Sequence, residues 1–252
     1  MSDIHGNSAA LEAVLADAAP LAIDRWWALG DHVLFGPRPV EVLELLAALP
    51  DCGYVAGNTD RYVLTGDQPP AHATASDAVG RVDLVERYGA MAGAIGWTRG
   101  ALVQAGYLDR LSGLPPEQRV VLQDGSTLLG IHASPLSDDG PGIDTRSTDE
   151  ALAALLADCG ATTVVGGHTH DPTDRIVGDG IRALNCGSVG LSRRSGYASW
   201  MVIDASEKTI QIEHREAAFD AEAVVADLHR RGYPNAAFVE SILAEGFQPG
   251  PR

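Results

Sequence analysis

Apolar positions recur in two rhythms along the first half of the chain. Leu11, Val14, Leu15 and Ala18 share one face of a short helix that follows the turn Gly6-Asn7. Trp26–Leu29 is a short apolar run ending in Gly30-Asp31, which predicts a buried strand. Residues 39–49 return to helical spacing, with Val40, Val42, Leu43, Leu45, Leu46 and Leu49. Val55-Ala56 closes another strand immediately before Gly57-Asn58. Residues 66–80, rich in Ala, Pro and Asp, predict a loop, and residues 81–113 are mainly helical in pattern.

The second half is richer in strands. Residues 120–122, 128–132, 162–165, 182–184, 198–203 and 210–213 all carry strand patterns. Their connections are short and contain Gly, Asp and Ser, so neighbouring strands are expected to be mostly antiparallel. One helix, over residues 148–159, interrupts them. Two helices close the chain as a hairpin at about residues 220–246. The first has Asp220 as N-cap, Arg230 and Arg231 in its last turn and Gly232 as its stop, with Pro234 beyond; the second ends at Gly246. The pattern predicts an α/β (α+β) protein, with two sheets flanked by helices in a single domain over residues 1–252.

Composition narrows the functional classes. The 252 residues are 45% hydrophobic and 21% charged, ordinary for a folded globular chain. Eighteen basic against thirty-four acidic residues give a formal net charge of -16, a field that repels polyanions. No nucleic-acid polymer is therefore expected as partner, although a small phosphate at a locally positive site remains compatible. Cys52, Cys159 and Cys186 are odd in number and far apart, suggesting neither a disulfide framework nor a thiolate metal site. There is no uncharged apolar run of about 18 residues and no basic-then-apolar leader, so a cytoplasmic location without membrane contact is expected.

The chemistry lies in five short motifs, each ending a predicted strand or opening the loop after it. They are Asp3-Ile4-His5, Gly30-Asp31, Gly57-Asn58, His132, and Gly167-His168-Thr169-His170. Ligands of open α/β sheets gather at the carboxyl ends of strands, so all five can converge on one crevice. Carboxylate, amide and imidazole together suit borderline divalent ions such as Mn, Fe, Zn, Co or Ni. Two such ions would bring four positive charges, of which Asp3 and Asp31 neutralise two. The pocket would then be locally cationic in an acidic protein, which favours phosphate and polarises water.

Taken together in this order, the motifs resemble those of the calcineurin-like metallophosphoesterase superfamily, specifically its small prokaryotic phosphoesterase branch. The family pattern D-x-H, G-D, G-N-x-D/E, H and G-H-x-H stands here complete. Gly30–Pro37, Trp97-Thr98, His132–Pro135, Asn185–Gly190 and Gly232-Tyr233-Pro234 look like family blocks as well. The resemblance implies a four-layer fold, a two-sheet β-sandwich flanked by helices. It also implies a first metal on Asp3, His5 and His170, a second on Asn58, His132 and His168, and Asp31 bridging them. A hydroxide shared by the ions would then attack phosphorus in line, with Asp31, Asn58 and His132 as catalytic residues.

Two departures accompany the resemblance. Many members carry His after the Asn of the third motif, where it protonates the leaving group; here that position is Thr59, followed by Asp60. Members also carry a central strand before the D-x-H turn, whereas only Met1-Ser2 precede Asp3, so the first central strand is expected to be cut short. Arg38, Arg61, Arg193 and Arg194 are candidates for gripping substrate phosphate, with Arg61 ranked first and Thr59 beside it. His32 flanks the bridging position and is an alternative proton donor, along with Asp60. Ser188 is a candidate hydrogen-bond donor to a ligand, and His72, His214 and His229 have the character of surface residues. The expected substrate is a small phosphomonoester or phosphodiester, and a homo-oligomer is allowed. A non-catalytic interaction module on the same fold and a protein phosphatase are the competing readings.

Overall fold

A computed structural model describes residues 1–69, 75–77, 79–205 and 210–249. His72 lies outside the described residues. The first helix, α1 (Ser8–Ala18), starts where the Asn7 side chain accepts a hydrogen bond from the Ala10 amide, and it buries Ala10, Leu11, Val14 and Ala18 on one face. Strand β1 (Trp26–Leu29) is joined through α2 (Pro39–Ala47) to β2 (Cys52–Val55), and the two strands pair in parallel from Trp26↔Cys52 to Leu29↔Val55. A third helix, α3 (Asn58–Thr65), opens directly from the third motif, its first turn closed by Asp60 accepting from the Gly57 amide at 3.1 Å. The predicted helical region resolves into α4 (Val82–Ala105) and α5 (Leu108–Ser112).

The second half builds a five-stranded sheet. Its members are β3 (Gln118–Val121), β4 (Thr127–Gly130), β5 (Thr163–Gly166), β6 (Thr173–Val177) and β7 (Ile181–Asn185), in the order β3-β4-β5-β7-β6. Antiparallel pairing holds at its two edges, but at the centre β4 and β7 both run parallel to β5. The reason is topological. Helix α6 (Asp149–Leu156), capped by the Thr148 side chain, provides the crossover from β4 to β5, and the β6 excursion returns β7 in the same direction as β5. A further antiparallel pair, β8 (Tyr197–Asp204) with β9 (Gln211–Ala218), completes the strands. The chain then forms the hairpin of α7 (Ala221–Arg230), capped by Asp220, and α8 (Ala236–Glu245), which stops at Gly246.

The β1–β2 and β8–β9 pairs are joined into one layer by residues 1–4 and 188–190. The Leu29 amide donates to Met1 O and the Asp3 amide to Gly30 O, while Val189 and Gly190 donate to Ser2 O and Asp3 O. Ser199 then donates to Ser188 O at 2.8 Å. Leu29, Val55 and Met201 of this layer meet Leu128, Val165, Leu184 and Cys186 of the five-stranded sheet. The alternate residues Leu129, Val164 and Ala183 face the other way, onto Leu152 and Leu156 of α6. On the far side, Ala28, Ala198 and Trp200 pack against Leu11 and Val14 of α1 and Val42 and Leu46 of α2. The expected four layers, helix, sheet, sheet, helix, are therefore present. A separate helical cluster of α3, α4, α5, α7 and α8 packs over Phe35 and Leu191 at one end of the sandwich. No helix among the described residues is long and apolar enough to cross a membrane.

Candidate metal centre

Four of the five motifs sit where strands end, and the first, Asp3-Ile4-His5, runs beside the second, with the Asp3 and His5 amides donating to Gly30 O and Asp31 O. Asp31 follows β1, Asn58 follows β2 and opens α3, His132 follows β4, and the Gly167–His170 loop follows β5. The backbone at these turns is unusual. Asp3, His5, Asp31, His168 and His170 all adopt left-handed φ values between 53° and 66°. Such a conformation costs an L-residue energy and clusters at functional sites. Two glycines bring the loops into contact: a Cβ on Gly57 would lie 2.2 Å from Asp31 Oδ1, and one on Gly167 would lie 2.0 Å from Ser2 Oγ and 2.3 Å from Asp3 Oδ2.

The seven predicted ligands meet in one pocket. Asp3 Oδ1 lies 3.2 Å from His170 Nε2 and 3.9 Å from His5 Nε2, and the two imidazole Nε2 atoms are 3.2 Å apart. Asp31 reaches both ways, with Oδ2 3.8 Å from His5 Nε2 and Oδ1 3.3 Å from His132 Nε2. Asn58 Oδ1 stands 2.9 Å from His132 Nε2 and 3.0 Å from His168 Nδ1. Asp3, His5 and His170 can together hold one cation, and so can Asp3, Asp31 and His132.

Whether the donors fit a cation is decided by their unused atoms. His132 Nδ1 donates to Leu29 O at 2.7 Å and His170 Nδ1 to Leu191 O at 2.8 Å, so each Nε2 turns into the pocket, its lone pair free once the ring is neutral. His168 is anchored the other way round, with Nε2 donating to Gly140 O at 3.0 Å and Nδ1 facing inward. Asp3 Oδ1 and His5 Nδ1 are buried without any hydrogen-bond partner. Inward lone pairs around an orphaned buried carboxylate oxygen make a pocket that needs positive charge. The residues fit a divalent ion.

Among the side chains alone, protonation follows position. Burial pushes the His5 imidazole down to about 4 despite the nearby Asp31 carboxylate. Burial alone would raise Asp3, but the His170 imidazole beside it outweighs this and holds Asp3 at about 2. Asp31 is likewise driven below its ordinary range: burial raises it, and His132 and His5 lower it further than that. His132 goes the other way, to about 10, because Asp31 overcomes the cost of burial. Ionised carboxylates and a neutral His5 are the forms that coordinate metal, while a cation must displace the proton on His132.

The remaining candidates are placed less simply. Arg61 donates from Nε and Nη2 to Asp138 at 2.7 and 2.9 Å and stands 3.7 Å from Asp139, so its guanidinium is already occupied by carboxylates. The Thr59 hydroxyl donates to Val33 O at 3.2 Å, and its amide donates to Asp31 Oδ1 at 2.9 Å. Arg38 is held by Asp227 and Glu41, and Arg194 by Glu216. Arg193 is the exception: Nη2 is 3.3 Å from Asp171, the residue after His170, yet Nε and Nη2 are buried without a hydrogen-bond partner. Ser188 Oγ donates to Asp3 O and accepts from Leu191 N, so it fixes the backbone behind Asp3. His214 is exposed, and His229 pairs on the surface with Glu240.

Asp60 has a role that motif reading did not assign. Its buried carboxylate accepts from the amides of His32, Val33 and Gly57 at 3.0, 3.3 and 3.1 Å, and from His32 Nδ1 at 2.8 Å. One side chain thus ties the loop of Asp31 to the loop of Asn58. His32 is turned away into a cavity of about 40 Å³ lined also by Tyr54 and Arg110. Burial lowers its pKa, but the Asp60 carboxylate more than compensates and leaves it raised. Phe35 and Phe247 were also missed. Their rings lie 5.4 Å from His5 and 4.2 Å from His170.

Comparison with known proteins agrees with this geometry. A solved structure of a hypothetical protein from Pyrococcus horikoshii OT3 superposes with a TM-score of 0.81, covering 99% of this chain and 98% of that one at 20% identity, a likeness of fold. The crystal structure of a metallophosphoesterase from Sphaerobacter thermophilus matches with a TM-score of 0.71 at 27% identity, over 98% of this chain and 97% of that one. An uncharacterized protein of Methanocaldococcus jannaschii is 33% identical over 138 residues, which is 54% of this chain and 48% of that relative, so the match spans about half of its length. The model of the calcineurin-like phosphoesterase superfamily domain matches residues 1–208. Together with the seven converging side chains, this match supports phosphoesterase chemistry in general, and the chain belongs to the calcineurin-like phosphoesterase superfamily.

Proposed function

We propose that the chain is a dinuclear metal-dependent phosphoesterase that hydrolyses a small phosphomonoester or phosphodiester. The observation that carries this reading is Asp31, whose two oxygens face different halves of the pocket, Oδ2 toward His5 and Oδ1 toward His132. Asp3, His5 and His170 would hold one ion and Asn58, His132 and His168 the other, with Asp31 shared. Divalent ions there would supply Lewis acidity and activate water for attack on phosphorus. Every ligand position is filled, which favours catalysis over a purely structural use of the fold.

The protein's own groups have distinct tasks. Leu29 O, Leu191 O and Gly140 O fix the three imidazoles of His132, His170 and His168, so their inward nitrogens need no reorganisation. Asp60 holds the Asp31 and Asn58 loops together. Arg193 brings buried N–H donors beside the His170 turn, Nη2 ion-paired with Asp171 and Nε without a partner, and a guanidinium grips phosphate bidentately. Arg61, occupied by Asp138, shapes the rim instead. Thr59 has its proton committed to Val33 O, so this position supplies no acid to a departing alkoxide.

The test is metal analysis of the purified protein followed by a panel of phosphate esters with several divalent ions. The reading predicts two ions per chain and hydrolysis that disappears on chelation and returns with metal. Full activity in a sample shown to be metal-free would overturn it.

A further inference from the structure

Five rings run in sequence across one side of the pocket. Phe238 of α8 lies 5.6 Å from Phe35, Phe35 5.4 Å from His5, His5 5.1 Å from His170, and His170 4.2 Å from Phe247. Three of the chain's four phenylalanines stand in this ribbon, in a sequence with only 6% aromatic residues. Two come from residues 209–252, beyond the stretch matched by the family model, so α8 and the segment after it add this wall to the domain. Phe238 is 40% exposed, the only exposed Phe, Tyr or Trp side chain among the described residues. Its ring leads outward from Phe35 and a metal-ligand imidazole to solvent.

The inner end of this path is held rigidly and at a cost. Leu34 and Phe35 both adopt left-handed backbone, φ 69° and 76°, although both are bulky and buried. Strain of this kind persists only where the surroundings impose it. Here the Phe35 amide donates to the hydroxyl of Tyr233, which lies in the turn between α7 and α8, at 2.8 Å. Simple burial of Phe35 does not require such a backbone. What the arrangement achieves is a phenyl ring aimed over His5, continuous with the free face of Phe238.

We propose that Phe35 and Phe238 form a stacking platform for a planar aromatic or heteroaromatic ring on the substrate. The inference rests on the phosphoesterase reading and deepens it: the ester cleaved at the pocket carries a ring, with its phosphate at the metal-ligand cluster and the ring against Phe238. Aromatic faces pair with rings through offset or tilted contacts at centroid separations like those already in the ribbon. Stacking of a base on one aromatic side chain is sequence-tolerant, so the platform selects rings as a class.

The test uses two esters with the same leaving group, a nucleoside 5'-(methyl phosphate) and ribose 5-(methyl phosphate), on the full metal-loaded chain. They differ only in the ring. The platform predicts a kcat/KM ratio of about 5- to 150-fold in favour of the ring-bearing ester, from the usual worth of one stacked base. Phe238→Leu, which keeps an apolar side chain at this exposed position, should bring the ratio close to one, and Phe238→Trp should restore it. A ratio near one in the unaltered protein, or a ratio that survives Phe238→Leu, overturns the platform. If neither ester is hydrolysed, the phosphoesterase reading fails only where aryl phosphates, whose leaving groups need no acid, are not hydrolysed either. Calorimetric affinities of the same two compounds for the unaltered and Phe238→Leu proteins then decide the platform by the same ratio.

Discussion

Asp3, His5 and His170 all stand on left-handed backbone, whereas of Asn58, His132 and His168 only His168 does. The first half of the centre is closed in by the phenyl rings of Phe35 and Phe247, and Asp3 Oδ1 and His5 Nδ1 have no hydrogen-bond partner there. The second half is polar: Asn58 Oδ1 stands between two imidazoles that Leu29 O and Gly140 O anchor, and beyond Gly140 O lies the Asp138–Arg61–Asp139 cluster. Similar ligand types are thus held in two ways. One half depends on strained turns clamped by packing from residues nearly 200 positions away, such as the Tyr233–Phe35 bond with a separation of 198. The other depends on hydrogen bonds close to the ligands. Unpaired polarity in an apolar wall makes the first half the stronger demand for a cation.

Breaking the link between the halves should have the largest effect. Asp31→Asn removes the negative charge they share, and hydrolysis measured at saturating metal should fall by orders of magnitude. Hydrolysis within threefold of the unaltered protein would show that the halves do not work through Asp31. His170→Ala and His168→Ala probe the halves singly. Each should lower the bound metal by one ion per chain, read by elemental analysis, and the apolar setting of His170 predicts the larger loss of stability on refilling with buffer alone. Identical metal content in both variants and the unaltered chain would abolish the division.

A smaller effect is expected at the edge of the second half. With the Thr59 hydroxyl committed to Val33 O, rates should depend steeply on leaving-group pKa. Thr59→His should flatten that dependence and raise alkyl-ester hydrolysis by up to about 10²–10⁴-fold, the usual worth of a placed general acid. A flat dependence before substitution, with chemistry rate-limiting, would mean that another donor acts. The smallest effect belongs to Tyr233→Phe. It leaves the Phe35 amide buried without an acceptor, a cost of about 1–3 kcal/mol, and should weaken metal binding in the first half alone. An unchanged melting temperature together with unchanged metal affinity would show that the Tyr233 clamp does not hold this half.

The convergence of the seven candidate ligands was legible because each is one or two residues from a glycine or from another candidate ligand. The helix caps Asn7, Thr148 and Asp220 were local signals of the same kind. Strand β6 was hidden because its exposed residues Asp174 and Ile176 break simple apolar alternation at a sheet edge. The parallel centre was hidden because hairpin-like connections gave no sign that β6 would pair outside β7. The Arg61 ranking failed to foresee Asp138, 77 residues away, because no local pattern reports which carboxylate folds back onto a guanidinium. The aromatic ribbon joins α8 and the segment after it to the turn after β1, a contact that only the three-dimensional path creates.

The central claim is that one carboxylate couples two cation sites. Its most direct test is calorimetric titration of manganese into the chelator-stripped protein and into Asp31→Asn, with circular dichroism to confirm that both are folded. The account predicts two ions per chain in the unaltered protein and weakened binding of both in the variant. One ion per chain, or a variant in which either site keeps its full affinity, would contradict it.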